Sequence, residues 1–434
     1  MIPLPARATL RRWSVTGLSA LADQVVFSSV NFLLNILLAR FLTAEAYGAF
    51  AIAYSLFFLA LSPYQALVIE PFHALGGAPD RPGGAGYLSQ VLQGQLLLAL
   101  VLAGVLVVAG LALGAFGSPV GPLLLLFAAA APFLFLQMLL RRACYVEGRA
   151  GLALAGSSVY FLVACAGVLL LVRFGEAGAT AVPPLLGLAG AAGLAVPVLG
   201  LGIPLRRLLS LDGGRLRAVA LEHWRHGRWL LASGALGVVS GTIYAPAIGA
   251  ALGTAQAGAF RAVQNLFLPL TQMLAALAMP LLPVLSRKLG AEGEGGDGPQ
   301  VRRAVLLLLP VAAGLVLPYA LAMLLVGDRL LDLLYGAGKY TGDAWLLDYL
   351  SVGALGLIAV FALGQTARAL RRFSIVSAGE AAGALATVCV TLPLLGLYGL
   401  AGAAAGFLVA QLAPAVVLSC WAVRRLGRRR GSGG

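Results

Sequence analysis

Charge is what this sequence has least of. Only 11% of its 434 residues are Asp, Glu, Lys or Arg, while 60% are hydrophobic, and the mean hydropathy is +0.95. A soluble domain carries roughly 25% charged and 45–50% apolar residues, so no water-soluble fold could hide this much apolar surface. Cysteine is scarce as well. Cys144, Cys165, Cys389 and Cys420 lie in or at the ends of apolar segments and form no Cys-x-x-Cys pair, which argues against both a disulfide framework and a zinc site. The three histidines, His73, His223 and His226, form no metal cluster, and no Ser/His/Asp set is present, so neither an enzyme nor a cofactor is expected. Period-2 alternation is missing too, and with it the pattern of a membrane β-barrel.

What the chain does have is long apolar runs rich in Leu, Ala and Gly. A helix needs roughly 20 such residues to cross a bilayer, and the runs predict spans at about residues 17–39, 46–68, 88–113, 120–140, 152–172, 180–203, 229–250, 257–284, 304–326, 345–367, 375–395 and 399–422. The apolar stretch behind the basic leader Met1 to Trp13 continues too far for a cleavable signal, and no Ala-x-Ala-like site follows, so a retained first span is expected. The glycine-rich stretch between Gly290 and Gly298 lacks the Lys-Ser/Thr of a phosphate-binding loop and reads as a flexible cytoplasmic linker.

The formal charge of +14 would suggest nucleic acid in a soluble protein. Here topology accounts for it. When loops alternate between the two sides, one side receives 25 of the 30 Lys and Arg, from Arg7, Arg11 and Arg12 to the cluster Arg424, Arg425, Arg428, Arg429 and Arg430. The other side holds only Arg40, Arg173, Arg329 and Lys339, and Arg261 falls inside a span. The positive-inside rule makes the basic side cytoplasmic, with both termini on it. Miscounting by one span would scramble the segregation. No nucleic-acid partner is expected.

An internal repeat is also legible. Leu42, Gly48, Ala49, Phe50, Leu56 and Phe57 recur 210 residues later as Leu252, Gly258, Ala259, Phe260, Leu266 and Phe267. Arg149, Ala155 and Gly156 recur as Arg372, Ala378 and Gly379 at an offset of 223. Six spans separate equivalent points, so the halves share one orientation, as in parallel-repeat transporters. The expected fold is an all-α polytopic membrane protein with about twelve transmembrane helices in two pseudo-symmetric six-helix bundles around a central cavity. The halves would be residues 1–214 and 215–434, with the basic segment 203–228 as linker.

Polar residues inside a span are costly and mark functional candidates. In the first span Gln24, Ser28, Asn31 and Asn35 follow i, i+4, i+7 and i+11 spacing, which puts them on one helical face, with Asp23 beside it. Either that face lines a substrate cavity or its amides hold the bundle together. A second stripe, Arg261, Gln264, Asn265, Thr271 and Gln272, lies on the eighth span, and its repeat mate carries Tyr54, Ser55 and Ser62 at equivalent positions. Arg261 either snorkels to the interface or meets an anionic substrate. Asp23 and Glu380 are candidate ion-coupling carboxylates or partly solvated helix ends. Gln137 and Gln365, with Arg141 and Arg368, either line an inner vestibule or anchor the spans.

Three segments resemble a known family. Phe41-Leu-Thr-Ala-Glu-Ala-Tyr-Gly-Ala-Phe50, Leu334-Tyr-Gly-Ala-Gly-Lys-Tyr340 and Pro280-Leu-Leu-Pro-Val-Leu-Ser286 look like segments of polysaccharide flippases of the O-antigen and teichoic-acid export type. These belong to the multidrug/oligosaccharidyl-lipid/polysaccharide exporter superfamily. The resemblance implies a carrier that flips undecaprenyl-pyrophosphate-linked oligosaccharide toward the periplasm by alternating access. Its partners would be that lipid-linked oligosaccharide, membrane lipids, a polysaccharide polymerase and glycosyltransferases. The alternative within the superfamily is a cation-coupled multidrug or small-molecule exporter, which needs an intramembrane carboxylate.

Overall fold

The structure is a computed structural model in which residues 7–76, 84–175, 178–203, 213–290 and 298–427 are described. The glycine-rich stretch 291–297, the middle of the expected linker (204–212) and the basic residues Arg81, Arg206, Arg207 and Arg428, Arg429 and Arg430 lie outside the described residues.

Among the described residues every regular element is helical. They are α1 (Arg7–Phe41), α2 (Ala44–Tyr64), α3 (Glu70–Gly76), α4 (Gly84–Ala115), α5 (Val120–Val146), α6 (Ala150–Arg173), α7 (Val182–Leu201), α8 (Gly213–Thr242) and α9 (Tyr244–Leu252). α10 (Thr254–Asn265), α11 (Leu268–Gly290), α12 (Gly298–Tyr335), α13 (Leu346–Ala369), α14 (Phe373–Ala386) and α15 (Leu392–Gly427) follow. Single π turns, Gln65–Ile69 and Thr387–Thr391, join α2 to α3 and α14 to α15.

Nine helical stretches among the described residues are long and apolar enough to cross a bilayer. The last, Phe373–Leu426, runs 54 residues, more than twice what one crossing needs. Gly399 breaks it with a φ of 59° and ψ of −137°, so it supplies two crossings. The pair α8–α9, bent by 42°, and the pair α10–α11 occupy the seventh and eighth apolar runs. The chain is therefore an all-α, multi-pass membrane protein, with the twelve runs read from the sequence in helical form.

By contacts the chain forms two compact units: Met1–Leu42 with Ala49–Ala235, and Thr43–Gly48 with Leu236–Gly434. In the first, α5 packs against α4, α6 and α7, and α6 against α7. In the second, α13 packs against α12, α14 and α15, and α14 against α15. These are the same pairings between repeat-equivalent helices, which gives the sequence repeat its three-dimensional counterpart. The portion of α8 up to Ala235 belongs to the first unit, and the first turn of α2 to the second.

Aromatic side chains fill the first unit's core. Phe57 stacks on Phe127 at 5.2 Å and Tyr64 on Phe135 at 4.7 Å between ring centroids, and the Tyr64 hydroxyl donates to the Phe135 carbonyl at 2.7 Å. Tyr244, Phe260 and Phe407 form the second unit's counterpart, with Tyr244 and Phe407 edge to face at 5.0 Å.

The repeat also exposes one unequal position. α5 ends on Gly148 with a φ of 67°, and the Arg149 amide closes the helix by donating to the Cys144 carbonyl at 2.7 Å. At the equivalent end of α13 the same geometry recurs, with Arg372 N–H to the Ala367 carbonyl at 2.8 Å, but its left-handed residue is Arg371, φ 56°. A non-glycine residue there carries a Cβ clash that glycine avoids. Arg371→Gly is expected to stabilise the protein by about 0.5–1 kcal/mol, and a fall in detergent melting temperature would count against this account of the turn.

Candidate functional site

The first-span polar face exists as read: α1 is one unbroken helix, so Gln24, Ser28, Asn31 and Asn35 share a side. What the sequence does not show is what they touch. Asp23 is fully buried, rather than a partly solvated helix end, and its Oδ2 accepts from Arg141 Nε of α5 at 2.7 Å and from the Tyr145 hydroxyl. Arg141 turns its Nη2 to Gln24 Oε1 at 2.9 Å, and Gln24 Nε2 reaches Ser28 Oγ at 3.2 Å. The guanidinium also lies 4.2 Å from the Phe27 ring centroid, a cation–π contact. The pair is monodentate: the arginine fork is split between Asp23 and Gln24, and Asp23 Oδ1 is buried without a hydrogen-bond partner among the described residues.

Higher on α1, Asn31 Oδ1 accepts from the Tyr54 hydroxyl of α2, and Asn35 Nδ2 donates to the Asn31 backbone carbonyl at 2.8 Å. Asn31, Gln24 and Ser28 are half-buried and Asn35 is buried. The α1 face thus runs from an ionic cluster at Asp23–Arg141 to an amide–phenol pair at Asn31–Tyr54. Ser55 and Ser62 of α2 are buried.

The second stripe spans a helix break. The helix stops at Asn265 and resumes at Leu268, so Arg261, Gln264 and Asn265 lie on α10 while Thr271 and Gln272 lie on α11. The Leu266 carbonyl at the break accepts from the Tyr319 hydroxyl. Arg261 Nη1 donates to Gln264 Oε1 at 2.9 Å. Asn265 is fully buried, and its Nδ2 donates to the Tyr47 hydroxyl at 2.7 Å. Tyr335 fixes the same helix by donating to the Ala262 carbonyl at 2.9 Å and stands edge to face with Tyr340 at 5.4 Å. Asn265 is therefore held by structural tyrosines, whereas Arg261 and Gln264 are half-buried and Gln272 is exposed.

Glu380 lies 4.0 Å from Arg368, both more than a third exposed, a loose pair of little energetic weight. Gln137 and Gln365 are buried. In the segment between α12 and α13, Lys339 lies 5.5 Å from the Tyr340 ring centroid; burial lowers its ammonium pKa, and the Glu45 charge offsets part of that. The residues missed from sequence are Tyr145, Tyr47 and Tyr335. Tyr145 left a signal one turn beyond Arg141, and Tyr47 and Tyr335 lie inside two of the family-like segments.

Neither a scan of protein-family models nor a search of curated proteins finds a match to this chain. Solved structures do match over nearly its whole length. They include the MATE multidrug transporter DinF-BH, at a TM-score of 0.67 and 16% identity, covering 98% of this chain and 97% of that one. An inward-facing multidrug resistance MATE family transporter of the MOP superfamily matches at 0.65 and 15%, covering 96% and 100%. The lipid II flippase MurJ in an inward closed conformation matches at 0.65 and 15%, covering 94% and 87%. At these identities the likeness is one of fold: the chain has the fold shared by MATE transporters and MurJ.

Proposed function

We propose that the chain is a flippase of the bacterial inner membrane. It would move undecaprenyl-pyrophosphate-linked oligosaccharide from the cytoplasmic to the periplasmic leaflet, by alternating access, for surface polysaccharide biosynthesis. The observation that supports this reading most is the α1 face: amide and hydroxyl groups at Gln24, Ser28 and Asn31 that begin at the Arg141 guanidinium. Sugar hydroxyls need such neutral partners, and a pyrophosphate needs a guanidinium. Arg261 and Gln264 on α10 offer the same two chemistries in the second unit. The lipid tail needs no site, because the bilayer dissolves it. The two repeats, 1–214 and 215–434, would be the moving halves, and the excess of Lys and Arg on one side supports cytoplasmic termini. Glycosyltransferases would supply the substrate and a polymerase would consume it.

A cation-coupled multidrug exporter is the second reading, favoured by the buried Asp23 and by the MATE transporters of the same fold. The Arg141 pair bears on both readings alike, because at 2.7 Å it must open before Asp23 can take a cation or Arg141 a phosphate. The test is export of surface polysaccharide in a deletion strain. Arg261→Ala and Asn31→Leu are each expected to lower export by about tenfold, the equivalent of one lost charge-assisted or neutral hydrogen bond, with membrane insertion unchanged on immunoblots. Full export by both variants would remove these faces from the transport path.

A further inference from the structure

A cavity of about 180 Å³ lies within the first unit, between the π turn after α2, the first half of α4 and the first turns of α8. Its walls are mostly apolar, including Leu67, Val68, Val91, Leu98, Leu216 and Trp224. α8 is held there by His223. Pro71 has no N–H, so the Leu67 carbonyl four residues earlier loses its helical donor. His223 Nδ1 supplies one at 2.9 Å, and Nε2 meets the Tyr87 hydroxyl at 2.8 Å. Because His223 meets Tyr87 while Leu216 stands against Gly94, with Cδ1 3.4 Å from where a Cβ there would be, α8 runs antiparallel to α4 over these residues.

Among the polar side chains that line it, Gln90, Gln95 and His223, one is unsatisfied. Gln95 is 1% exposed, and its Nε2 has no hydrogen-bond partner among the described residues. An apolar cavity with one buried, unsatisfied amide donor fits a ligand that is mostly hydrocarbon and carries one acceptor. The depth of Gln95 narrows the choice. It lies twenty residues before the end of α4 at Ala115, about 30 Å along the helix, which is one hydrocarbon thickness. Gln95 thus lies at the level where hydrocarbon meets the polar headgroups. Flanking Leu216, and level with Gly94, are the exposed Arg215 and Arg217; Arg225 and Arg228 follow on the same helix against a single acid, Glu222.

We propose that this cavity binds an anionic phospholipid. One acyl chain lies along Leu67, Val68, Val91 and Leu98, its ester carbonyl accepts from Gln95 Nε2, and its phosphate faces Arg215 and Arg217. Arginine clusters beside a span attract anionic headgroups, and the cavity turns that attraction into a defined seat.

The test is native mass spectrometry of the purified full chain in detergent, titrated with 1-palmitoyl-2-oleoyl-phosphatidylglycerol or with the phosphatidylcholine of the same chains. One phosphatidylglycerol should be retained in preference to phosphatidylcholine. Arg215→Gln with Arg217→Gln, both exposed, should weaken retention by about thirtyfold. Gln95→Leu, which keeps the size and removes the donor, should weaken it by about fivefold for both lipids. Equal retention of the two lipids, or unchanged retention in both variants, would overturn the proposal.

Discussion

Arg141→Ala is expected to destabilise the protein by about 3–5 kcal/mol, the range for removing one member of a buried ion pair. The substitution leaves the Asp23 carboxylate fully buried with only the Tyr145 hydroxyl for support. It also takes the guanidinium from Gln24 and from the Phe27 ring, so no neighbour gains what Asp23 loses. The effect is specific to the charge and therefore reversible by a second change. Adding Asp23→Asn to Arg141→Ala removes the unpaired charge and should recover most of the loss, while Asp23→Asn alone strands Arg141. Thermal unfolding of the four proteins in detergent gives the coupling directly. If the two single effects simply add, the buried pair does not hold α1 to α5 as described here.

Gly48→Ala is expected to cost at least about 3 kcal/mol, the upper part of the range for overpacking a tight contact. Within the second unit the first turn of α2 crosses α10 so closely that a Cβ on Gly48 would overlap the Thr254 carbonyl oxygen. A Cβ on Gly258 would likewise fall 2.5 Å from the Ala44 carbonyl oxygen. In both cases the obstacle is backbone, which cannot rotate away as a side chain can. Gly258→Ala should therefore be as damaging, and Gly104→Ala, whose added Cβ meets nothing within 4 Å, should be neutral or mildly stabilising. The measurement is the monodisperse fraction on size-exclusion after extraction. Normal yields from Gly48→Ala and Gly258→Ala would rule out the close crossing.

These two glycines also show how much the sequence reveals. They are repeat mates, 210 residues apart, and their identity was legible as repetition; that the mates touch was not, because a repeat gives equivalence and not position. The spans were legible because hydropathy acts locally, along about 20 residues at a time. The α1 face was legible from helical spacing alone. Its partner was not: Arg141 is 118 residues away, and an arginine at the end of an apolar run looks the same whether it anchors in headgroups or buries itself against a carboxylate. The break at Leu266 and Phe267 between α10 and α11 did leave a signal, because Pro269 in the first turn of α11 has no N–H to offer the Asn265 carbonyl. The expected linker is helical from Gly213 on, and the apolar face that seats α8 beside α4 is hidden among its arginines.

The ion pair also bears on mechanism. Asp23 and Arg141 neutralise one another through one oxygen, so under the proposed function a pyrophosphate would compete with Asp23 for the guanidinium. In the proposed cycle that exchange links substrate arrival to loosening of α1 from α5, and a neutral sugar without the phosphate would not trigger it.

The most direct test is flipping itself. The purified protein, reconstituted into liposomes with fluorescent undecaprenyl-pyrophosphate-linked oligosaccharide, should move the lipid to the leaflet where an added quencher or lectin reaches it. Arg261→Ala should slow the movement by about tenfold. Vesicles that leave the lipid unmoved, while the same preparation exports a cationic dye down an imposed ion gradient, would contradict the account and make the chain an exporter.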